Sequence, residues 1–419
     1  MADRTVDFLL IGGGLAAGNC ARWLRRSGAE GSILLVGREP DLPYDRPPLS
    51  KGYLKGTDSR DDALFQTADW YAEQGIEALT RTSAMKLDLA ERTVKLSNKL
   101  QVGFGKALIA TGANVRRLNV DGSELEGIHY LRTFGNSDAI REDAAGKRVV
   151  LIGGSYIASE VAATLTELGS QCTMVMLEER ALIRTFGREA AGYFHDLLAS
   201  HGITLHGEDE LDRFEGADGR VTKVVTKSGR EIDADAVVIG VGVNPDVMLA
   251  RGAGLELGES GGVRVNSRLE TATPGIYAAG DMAEYESVVH GGRPIRVEHW
   301  DVAFTHGKTV ALNMLGKDVA HDVVPYFFSD LSDWAAIEYV GPASDWDREV
   351  IRGSLDEGAF SVFYLHEGYV AGALSVGRSE DLQHARRFIA EDTEIGDPDA
   401  LADLSTDLES LTAGQGLEP

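Results

Sequence analysis

Only two cysteines occur in 419 residues, Cys20 and Cys172, and no CxxC or CxxxxC pair exists. That argues against a disulfide framework and a cysteine-built metal site, and no metal is expected. Cys20 falls on a predicted helix and Cys172 on a predicted strand, where a thiol acts as a small core residue. Prolines number 11 against 49 glycines, and the glycines gather in tight clusters, so they mark special turns rather than disorder. No apolar run approaches the roughly 20 residues that span a bilayer, so membrane insertion is not expected. The chain enters an apolar strand almost at once, which leaves no room for a signal peptide and points to a cytoplasmic protein. Positive charge is scarce: 41 Lys and Arg face 66 Asp and Glu, for a formal net charge of -25. Such a surface repels nucleic-acid phosphates and anionic lipid heads, so nucleic acid is not an expected partner. Part of the charge lies around Glu391–Glu394 and Asp397–Glu409, which read as a solvated helix and chain end.

What is present is a repeated pattern in a chain long enough for two or three domains. Val6–Ile11 is a short apolar run, as a strand buried on both faces requires. Gly12-Gly13-Gly14 follows, then an alanine-rich helix over Leu15–Arg26 and a second apolar strand, Ser32–Val36. This is a complete βαβ unit. Lys106–Thr111 reads as another buried strand, closed by Gly112. The pattern restarts about 140 residues on, with the strand Arg148–Ile152, the turn Gly153-Gly154, the helix Ile157–Leu168 and the strand Cys172–Leu177; Ala236–Gly240 ends this second unit. Gly275–Asp281 is a short strand ending in an aspartate. From about Val324 aromatics cluster, and Phe360–Tyr364 alternates with polar residues like an antiparallel strand. The fold expected is α/β, with two Rossmann-type dinucleotide-binding domains and a small C-terminal α+β domain. The boundaries expected are 1–112 with 243–322, 113–242, and 323–419.

The first glycine string, Gly12-x-Gly14-x-x-Ala17, sits between a buried strand and a helix. Its first glycine allows the tight turn, its second lets backbone N–H groups approach a pyrophosphate, and its small third residue permits close helix–strand packing. The helix N-terminus supplies the anion site. Gly12, Gly14, Ala16 and Ala17 are the candidate residues here. Glu39, after the second strand, is the candidate acceptor for ribose hydroxyls, and the adjacent Arg38 reads as a solvated charge.

The next string, Pro43-Tyr44-Asp45-Arg46-Pro47-Pro48-Leu49-Ser50-Lys51, resembles the flavin-contacting loop of the NADH-dependent flavoprotein reductases, which include oxygenase-coupled ferredoxin reductases, monodehydroascorbate reductases and apoptosis-inducing factor. The resemblance implies that Arg46 and Lys51 meet FAD. It extends over nearly the whole chain. Ala110-Thr111-Gly112 is similar to the family's ATG strand end, and Tyr130-Leu131-Arg132-Thr133 to its YLRT segment, whose arginine belongs to the FAD site. Thr273–Asp281 is similar to the second FAD motif, which assigns Asp281 to the ribityl and phosphate region. For Asp281 a helix N-cap is the bland role, compatible with the first. Arg296-Val297-Glu298-His299-Trp300 resembles the stretch beside the isoalloxazine ring, which places Glu298, His299 and Trp300 on the FAD side.

The second unit is expected to bind the pyridine nucleotide through Gly153, Ser155, Tyr156, Ile157, Glu178, Arg184 and Gly242. Ser155 stands where the second fingerprint glycine belongs and Ala158 at the third position. A serine there either crowds the pyrophosphate or adds a hydroxyl hydrogen bond. The ferredoxin reductases place their acid where Met176 stands; Glu178, two residues later, resembles the arrangement in apoptosis-inducing factor and monodehydroascorbate reductases, with Arg184 assisting. A carboxylate here favours NADH over a 2′-phosphate of like charge, while Arg180 and Arg184 keep NADPH open. Tyr156-Ile157-Ala158-Ser159-Glu160 matches the family's helix start, whose glutamate lies near flavin and nicotinamide. Lys51 and Glu160 are thus the candidate catalytic pair, tuning the flavin and aligning the nicotinamide, while the hydride chemistry belongs to the cofactors.

Disulfide reductases need a CxxxxC pair beside the flavin, and peroxidases of this type need one redox cysteine there. The loop after the first unit has neither, so electrons must leave from the flavin itself. The expected function is transfer of hydride from NADH to FAD and of electrons onward to a one-electron acceptor, a ferredoxin first. The alternatives are a slow, redox-controlled flavoprotein of the apoptosis-inducing-factor kind, or a reductase of a small organic radical or quinone. Pro325–Leu331 is similar to the family's FWSD segment, with Phe328 in place of the flavin-facing tryptophan and Leu331 in place of the glutamine usual in ferredoxin reductases. Ferredoxins are acidic, so docking requires a local basic patch that the sequence does not display. A monomer or homodimer is expected.

Two outcomes follow from these strings. The purified protein should be yellow, with one FAD per chain; a colourless preparation that does not take up added FAD would refute the first-site reading. NADH should give a higher kcat/KM than NADPH; equal values would show that Arg180 and Arg184 outweigh Glu178.

Overall fold

The apolar runs become the inner strands of parallel sheets. The computed structural model describes residues 2–411 and separates into two compact units. One comprises the chain up to Asp45, Asp61–Asn114 and Asn244–Tyr326; the other comprises Arg46–Arg60, Val115–Val243 and the chain from Phe327. In the first unit the strand Arg4–Ile11 lies between Ile33–Val36 and Gln101–Ile109, parallel to both. Ile76–Leu79 extends the sheet beyond Ile33–Val36, and Ile276–Ala278 pairs with Gln101–Ile109. The antiparallel strands Thr93–Leu96 and Ala84–Asp88 complete seven. A strand paired on both edges and covered on its faces has no solvent side, so Leu9, Leu10, Leu34 and Leu108 are all buried without alternation.

The second unit repeats the device. Its five parallel strands run in the order Thr204–His206, Gln171–Val175, Arg148–Ile152, Ala236–Ile239, Ile128–Tyr130. Both Rossmann helices lie where the glycine turns place them, at Leu15–Arg26 and Tyr156–Glu167. The first helix has the expected ends and the second is shifted by one residue, while the strand expected at Lys106–Thr111 runs from Gln101 to Ile109 and that expected at Gly275–Asp281 is only Ile276–Ala278. The same unit holds an antiparallel five-stranded sheet ordered Tyr326–Leu331, Ala335–Val340, Tyr369–Val376, Ala359–His366, Arg348–Ser354, against which the helix Ser379–Ala390 packs.

Three local expectations change. Ala359–His366 does not alternate; Phe360 to Leu365 is buried continuously. The strand has neighbours on both edges, and its buried polar groups are satisfied: Ser361 donates to the buried Asp381 and the Tyr364 hydroxyl to the Phe186 carbonyl, each at 2.9 Å. The acidic chain end is docked rather than simply solvated. Arg352, itself buried, donates to the carbonyls of Leu401 at 3.2 Å and Thr406 at 3.1 Å, and also to that of Asp403. Arg387 holds the carbonyls of Leu408, Glu409 and Leu411, and Leu401 and Leu408 are buried. Arg38, expected to be solvated, pairs with Asp246 at 2.9 Å and donates to Asn114 at 2.7 Å. Residues 412–419, part of the expected C-terminal domain, lie outside the described residues. Among those described, no helix is long and apolar enough to cross a membrane.

Candidate active site

In the first unit the turn after Arg4–Ile11 is built for close approach. Gly12 has φ +140°, and a Cβ there would collide with the Ala110 carbonyl, so only glycine fits. Gly14 is the N-cap of the first Rossmann helix and offers no side-chain cap, and a Cβ on it would meet nothing within 4 Å. The helix therefore presents unsatisfied N–H groups toward open space, the setting a pyrophosphate requires. Glu39 accepts from the Tyr44 hydroxyl at 2.6 Å, which orients its carboxylate just beyond the second strand.

The second FAD motif closes on the same sheet. Asp281 lies inside the single 3-10 turn Gly280–Met282, whose N-cap position is Ala279; it is not an N-cap, contrary to the bland role considered for it. Arg296 donates to the Asp281 carbonyl at 3.0 Å and pairs with Glu298. The segment holding Glu298, His299 and Trp300 is thus tied to the motif by one guanidinium. Trp300 Nε1 donates to Asp45 Oδ1 at 2.7 Å, fixing the indole against the start of the flavin loop. Burial raises the Asp45 carboxyl above the usual range, opposed by that hydrogen bond. Desolvation pushes the His299 imidazole down to about 4, so it is neutral at pH 7.

In the second unit the geometry converges on one carboxylate. Glu160, on the first turns of Tyr156–Glu167, is 4% exposed. Its Oε1 lies 2.7 Å from Lys51 Nζ and accepts from Ser329 Oγ at 2.6 Å; its Oε2 accepts from Ser50 Oγ at 2.5 Å. The loop that delivers Lys51 is tied down at successive carbonyls, Leu49 by Ser137 Oγ and Ser50 by Thr164 Oγ1, each at 2.8 Å. Pro47 and Pro48 open a 3-10 turn there, with φ preset by their rings. Arg46 donates to the Arg132 carbonyl, so the flavin loop and the YLRT segment are joined. Lys51 Nζ also lies 5.9 Å from the centroid of the Phe328 ring, within cation–π range. Ser50 and Ser329 stood inside the quoted strings without a role; nothing in their spacing signals that both meet Glu160.

In the second glycine turn Ser155 finds its partner within the chain. Its hydroxyl donates to the Gly240 carbonyl at 2.7 Å. It is the N-cap residue, yet it makes no side-chain cap bond to its helix. The side chain is therefore spent on the neighbouring strand end, and the helix N–H groups stay open to an anion. Gly153, with φ +115°, packs against the same Gly240 carbonyl, which a Cβ there would strike. Glu178 Oε1 lies 2.5 Å from Arg184 Nε, while Glu179 takes Arg188 at 2.8 Å. Tyr156 packs edge-on against Phe186 and Phe327, Ile157 is 41% exposed at the helix start, and the Gly242 carbonyl accepts from Arg116 N–H at 3.0 Å. Among the described residues no cluster of His, Cys, Asp and Glu could hold a metal.

Two glycine-led dinucleotide turns, a carboxylate beyond the second strand of each, and a buried Lys–Glu pair define the class: a flavoprotein reductase using FAD and a nicotinamide cofactor. Residues 6–307 match the pyridine nucleotide-disulphide oxidoreductase family and residues 326–412 the reductase C-terminal family. The chain is 34% identical to the 5,5'-dehydrodivanillate O-demethylase ferredoxin reductase subunit of Sphingobium sp., over 98% of this chain and 99% of that one. It is 33% identical to the benzene 1,2-dioxygenase system ferredoxin–NAD(+) reductase subunit of Pseudomonas putida, over 96% of each. A solved ferredoxin reductase from Rhodopseudomonas palustris superposes with a TM-score of 0.91 at 35% identity, covering 98% of this chain and all of that one. The chain belongs to the pyridine nucleotide-disulphide oxidoreductase family and is an NAD(P)H-dependent flavoprotein reductase.

The geometry around Glu160 sets a test. Replacing it by alanine leaves Lys51, Ser50 and Ser329 without their common acceptor. Stopped-flow reduction of the oxidised flavin by NADH should slow about 10- to 100-fold, the scale of a misaligned reactant. FAD content should stay near one per chain. Reduction of Glu160→Ala at the wild-type rate with unchanged NADH affinity would make the pair purely structural.

Proposed function

We propose that the protein takes hydride from NADH onto FAD and passes the electrons singly to an acidic iron–sulfur ferredoxin, in the cytoplasm where NADH is supplied. FAD accepts two electrons together and releases them one at a time, the chemistry this transfer needs. Residues 1–112 with 243–322 serve FAD, 113–242 serve NADH, and 323–419 form the C-terminal domain in this reading. Lys51 and Glu160 align the nicotinamide, Glu178 with Arg184 takes its adenosine ribose, and Asp281 takes the flavin side chain. The relatives named above as ferredoxin reductases support the acceptor class.

The observation that carries the proposal is a cationic, aromatic face on an otherwise acidic chain. Arg26 and Lys308 lie over the Trp23 ring at 4.9 and 4.8 Å. Arg22 lies 5.5 Å from the Phe65 ring and 5.8 Å from that of Phe304. Phe304 in turn stacks on Trp300 at 5.0 Å. This is the local basic patch that the composition hides, and it runs from the flavin-side tryptophan outward. An exit through protein thiols is disfavoured. Both cysteines are buried; desolvation pushes Cys172 up to about 11 and Cys20 further, so neither offers a reactive thiolate at pH 7. Leu331, the departure from the ferredoxin-reductase glutamine, is fully buried, so that change alters core packing rather than a docking surface.

The test couples NADH oxidation to a [2Fe–2S] ferredoxin with cytochrome c as the final acceptor. Cytochrome reduction should depend on the ferredoxin. Lys308→Glu combined with Arg26→Glu should raise its KM about tenfold at low salt and less at high salt, while NADH reduction of the flavin is unchanged. Slow turnover, a long-lived charge-transfer complex and NADH-dependent dimerisation would instead favour a redox-controlled association protein. A ferredoxin KM unmoved by the double charge reversal would take the docking face away.

A further inference from the structure

The helix Trp300–Met314 carries His306, a fully buried residue that belongs to none of the nucleotide motifs. Its Nδ1 accepts the backbone N–H of Gly280 at 3.2 Å. Gly280 opens the turn that contains Asp281 and sits at φ +74°, a conformation that suits glycine. A buried N–H left without an acceptor is costly, and here the acceptor comes from a side chain on another element.

The imidazole has little freedom. Nδ1 as acceptor puts the ring proton on Nε2, which has no hydrogen-bond partner among the described residues. The Tyr285 ring stands 4.6 Å away at 90° and the His321 ring 4.5 Å away at 87°. His321 is itself anchored, with Nδ1 at 3.2 Å from Thr309 Oγ1. Burial drives His306 far below the ordinary histidine range, so the ring stays neutral and Nδ1 keeps its lone pair at physiological pH.

The same turn of helix grips the first nucleotide helix. A Cβ on Gly307 would stand 2.5 Å from the Ala16 carbonyl, so the two helices touch backbone to backbone. Asn19 Nδ2 donates to the Phe304 carbonyl at 2.6 Å. Residues 304–307 therefore contact the helix that begins at the first glycine turn and, through His306, the turn that carries Asp281.

We infer that His306 is a positioning residue for FAD: by accepting the Gly280 N–H it sets where the Asp281 carboxylate is presented to the cofactor. The inference rests on the reading of Asp281 as an FAD contact. A hydrogen bond that served the fold alone would change stability without singling out FAD.

Four variants of the full chain separate these cases: His306→Asn, His306→Gln, His306→Leu and Asp281→Ala. Asparagine places an amide oxygen close to the Nδ1 position; glutamine places its amide nearer Nε2; leucine removes the acceptor. The readouts are FAD affinity of the apoprotein by flavin fluorescence, the midpoint potential of the bound flavin, and the urea midpoint of the apoprotein. Asp281→Ala, His306→Leu and His306→Gln should each weaken FAD about tenfold or more, the scale of one lost buried hydrogen bond. His306→Asn should hold FAD near the wild-type affinity and potential, although it opens a cavity and lowers the urea midpoint. If His306→Leu does not fold, the contrast between asparagine and glutamine decides alone. Equal FAD affinity in those two variants, with Asp281→Ala weakened, overturns the role of His306. Wild-type affinity in Asp281→Ala overturns the reading of Asp281 itself, and the inference with it.

Discussion

The carboxylate of Glu160 is the interaction on which the second unit depends. Taking an ion out of water costs several kcal/mol, and one counter-charge seldom offsets it unless the remaining lone pairs are also filled. Here both oxygens are engaged, Oε1 by Lys51 and Ser329 and Oε2 by Ser50. The three donors come from a proline-stiffened loop and from a strand of the C-terminal sheet, while the acceptor sits on a Rossmann helix. Satisfying one buried charge thereby ties the Glu160 helix to two other chain segments, whose serines are 110 and 169 residues away in sequence. The Lys51 ammonium is thereby held in one place, 2.7 Å from the Glu160 carboxylate.

The first unit reaches the same end by close backbone contact rather than by charge. Gly12 sits against Ala110 and Gly307 against Ala16, so a strand end and two helices converge with no side chain between them. Arg296 and Trp300 then tie the segment that follows the second FAD motif to Asp281 and Asp45. Rigid positioning by second contacts of this kind is what keeps a cofactor-binding constellation in register.

The sheets were legible because buried parallel strands are largely apolar, and Val6–Ile11 and Arg148–Ile152 are so apart from Asp7 and Arg148. The glycine turns were legible because positive φ and close approach leave glycine little competition. Lys51, Glu160 and Asp281 came from resemblance rather than from any spacing rule. Ser50, Ser329 and His306 were not legible at all: serine and histidine are common, and the partners that give them meaning lie on elements far away in sequence. The expectations for Arg38 and Phe360–Tyr364 failed for a related reason. A charge reads as solvated, and a strand reads as half-exposed, until tertiary packing supplies Asp246 for the one and a covered second face for the other. The patch of Arg22, Arg26 and Lys308 was masked differently, since a total charge says nothing of its distribution.

The way the chain end is held has an evolutionary consequence. Arg352 and Arg387 grasp main-chain carbonyls of residues 401–411, and every residue type provides a carbonyl. Apart from the two buried leucines, the identities of the tail side chains are therefore nearly free to drift without loosening the attachment. Acidic residues can accumulate there at little structural cost. In this segment, solubility and surface charge can be changed without touching the two arginines that anchor it.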